Sequence, residues 1–282
     1  MVWTVVGPLL AGLIACPLSA YLVSRGRWQI RHPRRALMVW ASVGVVGLVI
    51  AIASILLAAA LSLSASSASA AAEGLALTFI AWAGLGGLGI VGSLAHLGRV
   101  DSGKDDDERP SVAEMLSRRR TDSWQVGAVA VVEIEDSRYV AVAVPGATPS
   151  IFVSRAVRHA LPPSYLSAVL AHEAAHLDQL HALVRGVGAW HVACLPKRSR
   201  LRRELASRIM LLTELAADDV AAEKVGPAHL HDALVALHHL APSRELEVRA
   251  ARVRALHRTY PLPQGRVLVA SLPGQRLQRK QR

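Results

Sequence analysis

The sequence predicts an α+β fold: a mostly helical domain with a small sheet, preceded by three transmembrane helices. Three observations predict it. Long uncharged apolar runs are confined to the part before residue 98. A polar stretch closed by Pro110 follows. Beyond it, short apolar runs between turn signals give way to helical patterning that lasts to residue 258. The chain is 52% hydrophobic and only 19% charged over 282 residues, more apolar than a soluble domain of this size usually is.

About 20 apolar residues in a helix cross a bilayer. The runs near Val2–Val23, Leu37–Leu63 and Leu75–Leu97 qualify, and none contains Lys, Arg, Asp or Glu. Trp3, Trp28 and Trp40 lie near their ends, where interfacial aromatics are favoured. Residues 1–98 therefore read as a membrane anchor. The loop after the first run carries Arg25, Arg27, Arg31, Arg34 and Arg35, whereas the next link holds only Glu73. Arg99, Lys104 and Arg118–Arg120 follow the third run. The positive-inside rule then places the first loop and everything after residue 98 in the cytoplasm, with the N-terminus outside. The expectation is a multi-pass protein of the cell membrane, with membrane lipid as a partner.

The net charge of +11 raises nucleic-acid binding as a reading. The basic residues flank apolar runs and lie along helices, and no nucleic-acid-binding motif is present. No direct nucleic-acid partner is therefore expected. Cys16 and Cys194 both fall in apolar stretches, which is no disulfide framework and suits a reducing compartment. Leu13-Ile14-Ala15-Cys16 looks like a lipoprotein cleavage box, but no basic residue precedes its apolar run, so no cleaved signal is expected.

Residues 99–111 read as a linker, and 112–258 as the folded domain. Val126–Ile134 and Tyr139–Val144 read as short strands around a polar turn at Glu135–Arg138. The turn cluster Pro145–Pro149 leads to a third short strand, Ile151–Val153. Helices are expected at about Pro163–Leu183, Leu201–Val225, His229–Leu240 and Ser243–Arg258. Ala182–Leu195 is apolar apart from Arg185 and His191, and suits either a buried helix or a segment dipping into the membrane surface. Residues 259–282 form a basic tail.

The chemistry is carried by His172-Glu173-Ala174-Ala175-His176. Two histidines four apart on a helix sit about 40° apart around its axis, so both imidazoles can reach one ion. Glu173 is offset by roughly 60° to 100°, close enough to take a proton from a water that the ion acidifies. Zn2+ is the expected cofactor. A third ligand is needed. Gln179 and Ala182 occupy the Gly and His positions of the HExxHxxGxxH pattern, which is therefore absent. His181 lies nine residues after His172, about 180° round a continuous helix, and should point away. Glu214 and Asp218 share a face at i, i+4, so one can bind the ion while the other orients a histidine ring. Asp219 and Glu223 turn away from Glu214.

Val169–Leu177 followed by Glu214-Leu215-Ala216-Ala217-Asp218-Asp219 resembles the BlaR/MecR-type antirepressor metallopeptidases. It also resembles the wider set containing HtpX and the CAAX prenyl proteases. Val144-Pro145-Gly146 through Ile151-Phe152-Val153-Ser154 is similar to that family's strand pair, whose edge strand presents the substrate backbone to the metal. The resemblance covers residues 110–255 and the layout of three preceding spans. It implies a zincin-like metallopeptidase domain, with His172, His176 and Glu214 as zinc ligands, Glu173 as general base and Asp218 as the acid orienting a ligand. A transition-state donor is supplied late in such chains. His229 or His231 could serve, but a solvated helix start is the favoured reading for both.

The resemblance implies a membrane-bound zinc endopeptidase acting on a cytoplasmic protein, with a DNA-binding transcriptional repressor as a candidate substrate. HtpX-like quality control of membrane proteins is one alternative. A catalytically silent signalling protein of the same fold is another, which an intact Glu173 disfavours. The extracellular β-lactam-binding domain of BlaR/MecR sensors has no counterpart before Arg282.

Overall fold

The computed structural model describes residues 28–63, 119–195 and 198–259, with residues 14, 18–22, 25–26, 73–74 and 76; the side chains of 48, 51, 54, 55, 58, 61–63, 194 and 257–259 lie outside that description. The described residues are mostly helical with one small sheet, an α+β arrangement. The elements are α1 (Trp28–Arg31), α2 (Pro33–Leu63), β1 (Arg120–Val126), β2 (Val129–Ile134), β3 (Ala141–Val144), β4 (Ser150–Ser154), α3 (Arg155–Ala160), α4 (Pro163–Asp178), α5 (His181–Cys194), α6 (Arg200–Val225), α7 (Pro227–Leu240) and α8 (Arg244–Thr259). The expected spans near 2–23 and 75–97, the linker 99–111 and the tail beyond Thr259 fall wholly or mostly outside the described residues. Among the described residues, no helix is long and apolar enough to cross a membrane.

The chain divides into two compact units. One joins Met1–Asp107 with Val184–Thr213, and the other joins Glu108–Leu183 with Glu214–Arg282. Val184–Thr213 thus groups with the N-terminal part. The ambiguous stretch 182–195 is helical to Cys194, and both polar exceptions are partnered: Arg185 Nε donates to Thr213 Oγ1 at 3.2 Å, and Trp40 Nε1 of α2 donates to His191 Nδ1 at 2.8 Å. Gly188 is packed so closely that a Cβ there would meet Ile209 Cδ1 at 2.8 Å.

The second unit holds the sheet, in the order β1-β2-β4-β3. β1 runs antiparallel to β2, β2 parallel to β4, and β3 antiparallel to β4. Side chains alternate faces along a strand. Trp124, Val131, Ile151 and Val153 accordingly join the main core with Leu166, Val169 and Leu170 of α4, Leu230 and Leu234 of α7, and Val253 of α8. Val132, Ile134 and Phe152 form a smaller cluster on the opposite face, with Val142 and Val144 against it.

One expected strand divides differently, and one strand was not expected. Gly127, at φ 61°, turns the chain inside what the pattern makes one strand, Val126–Ile134. Val126 therefore closes β1, and β2 starts at Val129. The strand β1 itself, Arg-Thr-Asp-Ser-Trp-Gln-Val, is too polar to signal a strand; it lies at the sheet edge with one buried position, Trp124.

Ser154 ties three elements together. Its hydroxyl accepts from Val157 N–H at 3.2 Å as the N-cap of α3, and from Val140 N–H at 3.1 Å just before β3. Its own N–H donates to Val140 O at 2.8 Å. Antiparallel bonding alternates along a strand, so the even-numbered residues of β3 face β4. The backbone groups of Ala141 and Ala143 face the open edge.

Candidate metal centre

The helix α4 opens with Pro163 in its first turn, where proline costs no hydrogen bond. Leu166, Val169 and Leu170 anchor it in the core. That face fixes the helix rotation, and with it the direction of His172, Glu173 and His176. The helix α6 brings Glu214 and Asp218, which lie one turn apart.

The predicted ligands converge. His172 Nε2 lies 3.1 Å from His176 Nε2 and 3.2 Å from Glu214 Oε2. His176 Nε2 is 3.4 Å from Glu214 Oε1. One ligand atom from each of the three falls within 4.8 Å of the others. Two imidazole nitrogens and a carboxylate oxygen are a donor set that suits Zn2+. Asp218 Oδ1 sits 3.0 Å from His172 Nδ1, which holds the ring with Nε2 turned to the cluster. The residues present therefore fit such an ion. Asp219 faces away, into a two-bond pair with Arg252 at 2.7 and 3.0 Å.

Glu173 lies beside the cluster. Its Oε2 accepts from the Ala143 N–H at 2.9 Å, on the open edge of β3. One carboxylate oxygen is thus anchored, leaving the other to exchange a proton. Burial pushes the Glu173 carboxyl above its usual range, and the charge of Glu214 adds to that. His172, Arg249 and the Ala143 N–H oppose it. A raised carboxyl is better matched to taking protons near neutral pH than a free one.

Arg249 of α8 went unseen in the sequence. Its guanidinium is buried and forks onto Asp218, Nε to Oδ2 at 2.9 Å and Nη2 to Oδ1 at 2.7 Å. Its Nη1 reaches Glu214 Oε2 at 2.8 Å. Nη2 also lies 3.1 to 3.2 Å from both ring nitrogens of His172. One signal could have found it: Leu246, Ala250 and Val253 face the core, and Arg249 falls on that same stripe at i+3 from Leu246.

His181 departs from expectation. The helix does not continue through it: α4 ends at Asp178 and Leu180 takes φ 52°. The reversal brings His181 Nδ1 to 2.8 Å from His176 Nδ1. His231 pairs with its neighbour Asp232 at 2.9 Å, and His229 is half-buried at the start of α7. Arg249 is a late-chain cationic side chain in contact with the cluster.

Burial lowers the His172 pKa, but its bonds to Asp218 and Glu214 outweigh that and push it up to about 9. Burial raises both acids, yet Arg249 and His172 prevail. Asp218 is held at about 2, and Glu214 well below the ordinary carboxylate range. A metal binds neutral imidazole, so His172 must give up its proton. The apparent affinity for any metal held there should therefore rise with pH by up to about tenfold per unit until pH reaches about 9. The linked stability has the opposite sense: with its folded pKa raised, protonated His172 stabilises the metal-free fold fully below about 6.5, and this is lost as pH rises through about 9.

The chain matches no known family model, no curated protein and no solved structure.

Proposed function

We propose that this chain is a membrane-bound zinc-dependent endopeptidase with a zincin-like catalytic unit facing the cytoplasm. The observation that carries the reading is the convergence of His172, His176 and Glu214, with Glu173 beside them on an open strand edge. A zinc ion held by those three residues would acidify a water and polarise a substrate carbonyl.

The chain's own residues supply the rest. An extended substrate segment aligns along the open edge of β3, using backbone groups such as those of Ala141. Glu173 takes a proton at the carboxylate oxygen not bonded to Ala143, then passes it to the leaving amine. Asp218 keeps His172 in one tautomer and one orientation. Arg249 holds Asp218 and Glu214 ionised and in place. A cytosolic protein is the substrate class, with a DNA-binding repressor favoured by the sequence resemblance.

Metal analysis tests the centre. The wild type should hold one zinc per chain, with the pH dependence given above, and His172→Ala and Glu214→Ala should each lower occupancy sharply. Full metal in Glu214→Ala with loss in Asp218→Ala would show that the third ligand is misassigned.

Membrane attachment rests on the uncharged run Leu37–Leu63 and the apolar residues Val45, Val46, Val49, Ile52 and Leu56 exposed on α2. Orientation rests on the arginine-rich loop before it. A reporter fused after residue 120 should behave as cytoplasmic, and one inserted near Ser66 as external. An external signal from the fusion after residue 120 would remove the cytosolic substrate from the proposal.

A further inference from the structure

The geometry points to His181 as a positioning residue for His176, an inference that rests on the metal centre proposed above. Asp218 lies behind His172, at its Nδ1. Behind His176 stands a third histidine. His181 is only 2% exposed, and its Nδ1 lies 2.8 Å from His176 Nδ1. Its other nitrogen, Nε2, lies 3.1 Å from Gln179 Oε1.

Hydrogen-bond chemistry gives this chain a direction. Two ring nitrogens 2.8 Å apart share one proton, so one donates and the other accepts. If His176 offers the Nε2 lone pair to a metal, its Nδ1 carries the proton. His176 then donates to His181 Nδ1, and His181 donates from Nε2–H to the Gln179 carbonyl oxygen. Each atom then has the right role. The reverse sense would protonate His176 at Nε2 and close it to a metal. It would also require the Gln179 amide to turn and donate. With Oε1 toward His181, Gln179 Nε2 is buried and has no hydrogen-bond partner among the described residues.

The backbone carries a second indication. Leu180 adopts φ 52°, a conformation that is strained for a bulky residue. Its side chain is 63% exposed, so core packing of that side chain does not explain it. The turn instead folds His181 back against His176, where a continuing helix would place it on the far side.

The test is zinc affinity of the full detergent-solubilised chain, measured by competition with a chelator at pH 7.5. His181→Leu should bind zinc more weakly by about ten- to a hundredfold, as when a metal-binding histidine loses its orienting partner. His181→Asn, whose side-chain oxygen can accept from His176 Nδ1–H, should recover most of that loss. Gln179→Leu should fall between wild type and His181→Leu, and it decides the matter if His181→Leu fails to fold. Melting of each metal-free variant, followed in parallel, separates packing from orientation. Wild-type affinity in His181→Leu, or equal weakness in His181→Leu and His181→Asn, would overturn the role of His181 alone. A wild type that binds no zinc would overturn the metal centre, and this inference with it.

Discussion

Glu173→Gln should leave zinc content and folding nearly intact while hydrolysis falls by about a hundredfold or more, the loss expected when positioned proton transfer is removed. Glutamine keeps the shape and one carbonyl oxygen, so the bond from the Ala143 N–H survives. The position that would take the proton becomes an NH2 group with no lone pair to offer. Because the proton moves only on the way to the transition state, the loss should appear in kcat more than in substrate binding. The measurement is zinc analysis beside a proteome comparison of cells carrying wild type or Glu173→Gln, scored for new protein termini that require the glutamate. Fragments present equally in both would falsify the role of Glu173. Zinc in both and new termini in neither would favour a silent signalling protein of this fold.

How much of this was legible beforehand follows from what each feature writes into the sequence. The spacing of His172, Glu173 and His176 is a local property of one helix, and α4 places them as that spacing implies. Glu214 and Asp218 were legible for the same reason, one turn apart on α6. Features that depend on chain reversals were not. A helix continued through Leu180 puts His181 on the far side, and Leu180 is a residue whose type disfavours the left-handed turn it makes. The strand β1 was missed because an edge strand with one buried side chain needs no apolar run. Arg249 was missed because long-range pairing has no sequence spacing; it joins residues 31 positions away on α6.

Removing that arginine carries the second large effect. Arg249 is the cation that pairs Asp218, whose side chain is wholly buried, and it also pairs Glu214. A buried ion pair adds little net stability as a whole, because desolvating both partners offsets their attraction. Breaking it from one side is different, since Asp218 and Glu214 are then left buried with only the protonated His172 between them as counter-charge, at a cost of up to about 3–5 kcal/mol. Arg249→Leu should therefore destabilise the metal-free chain by that amount. Arg249→Lys should fall between, because an ammonium keeps the charge but not the two-pronged fork onto Asp218. Arg249→Leu with Asp218→Leu should cost less than the sum of the two single changes, since neither charge is then stranded. Added zinc should restore stability to Arg249→Leu as it saturates, because a ligand held only by the folded state stabilises it by mass action. Chemical unfolding followed by circular dichroism, with and without zinc, reads all of these. Arg249→Leu unfolding at the wild-type denaturant concentration without metal would mean that protonated His172 suffices as the counter-charge of Asp218, and that the arginine does not hold the carboxylates of the centre in place.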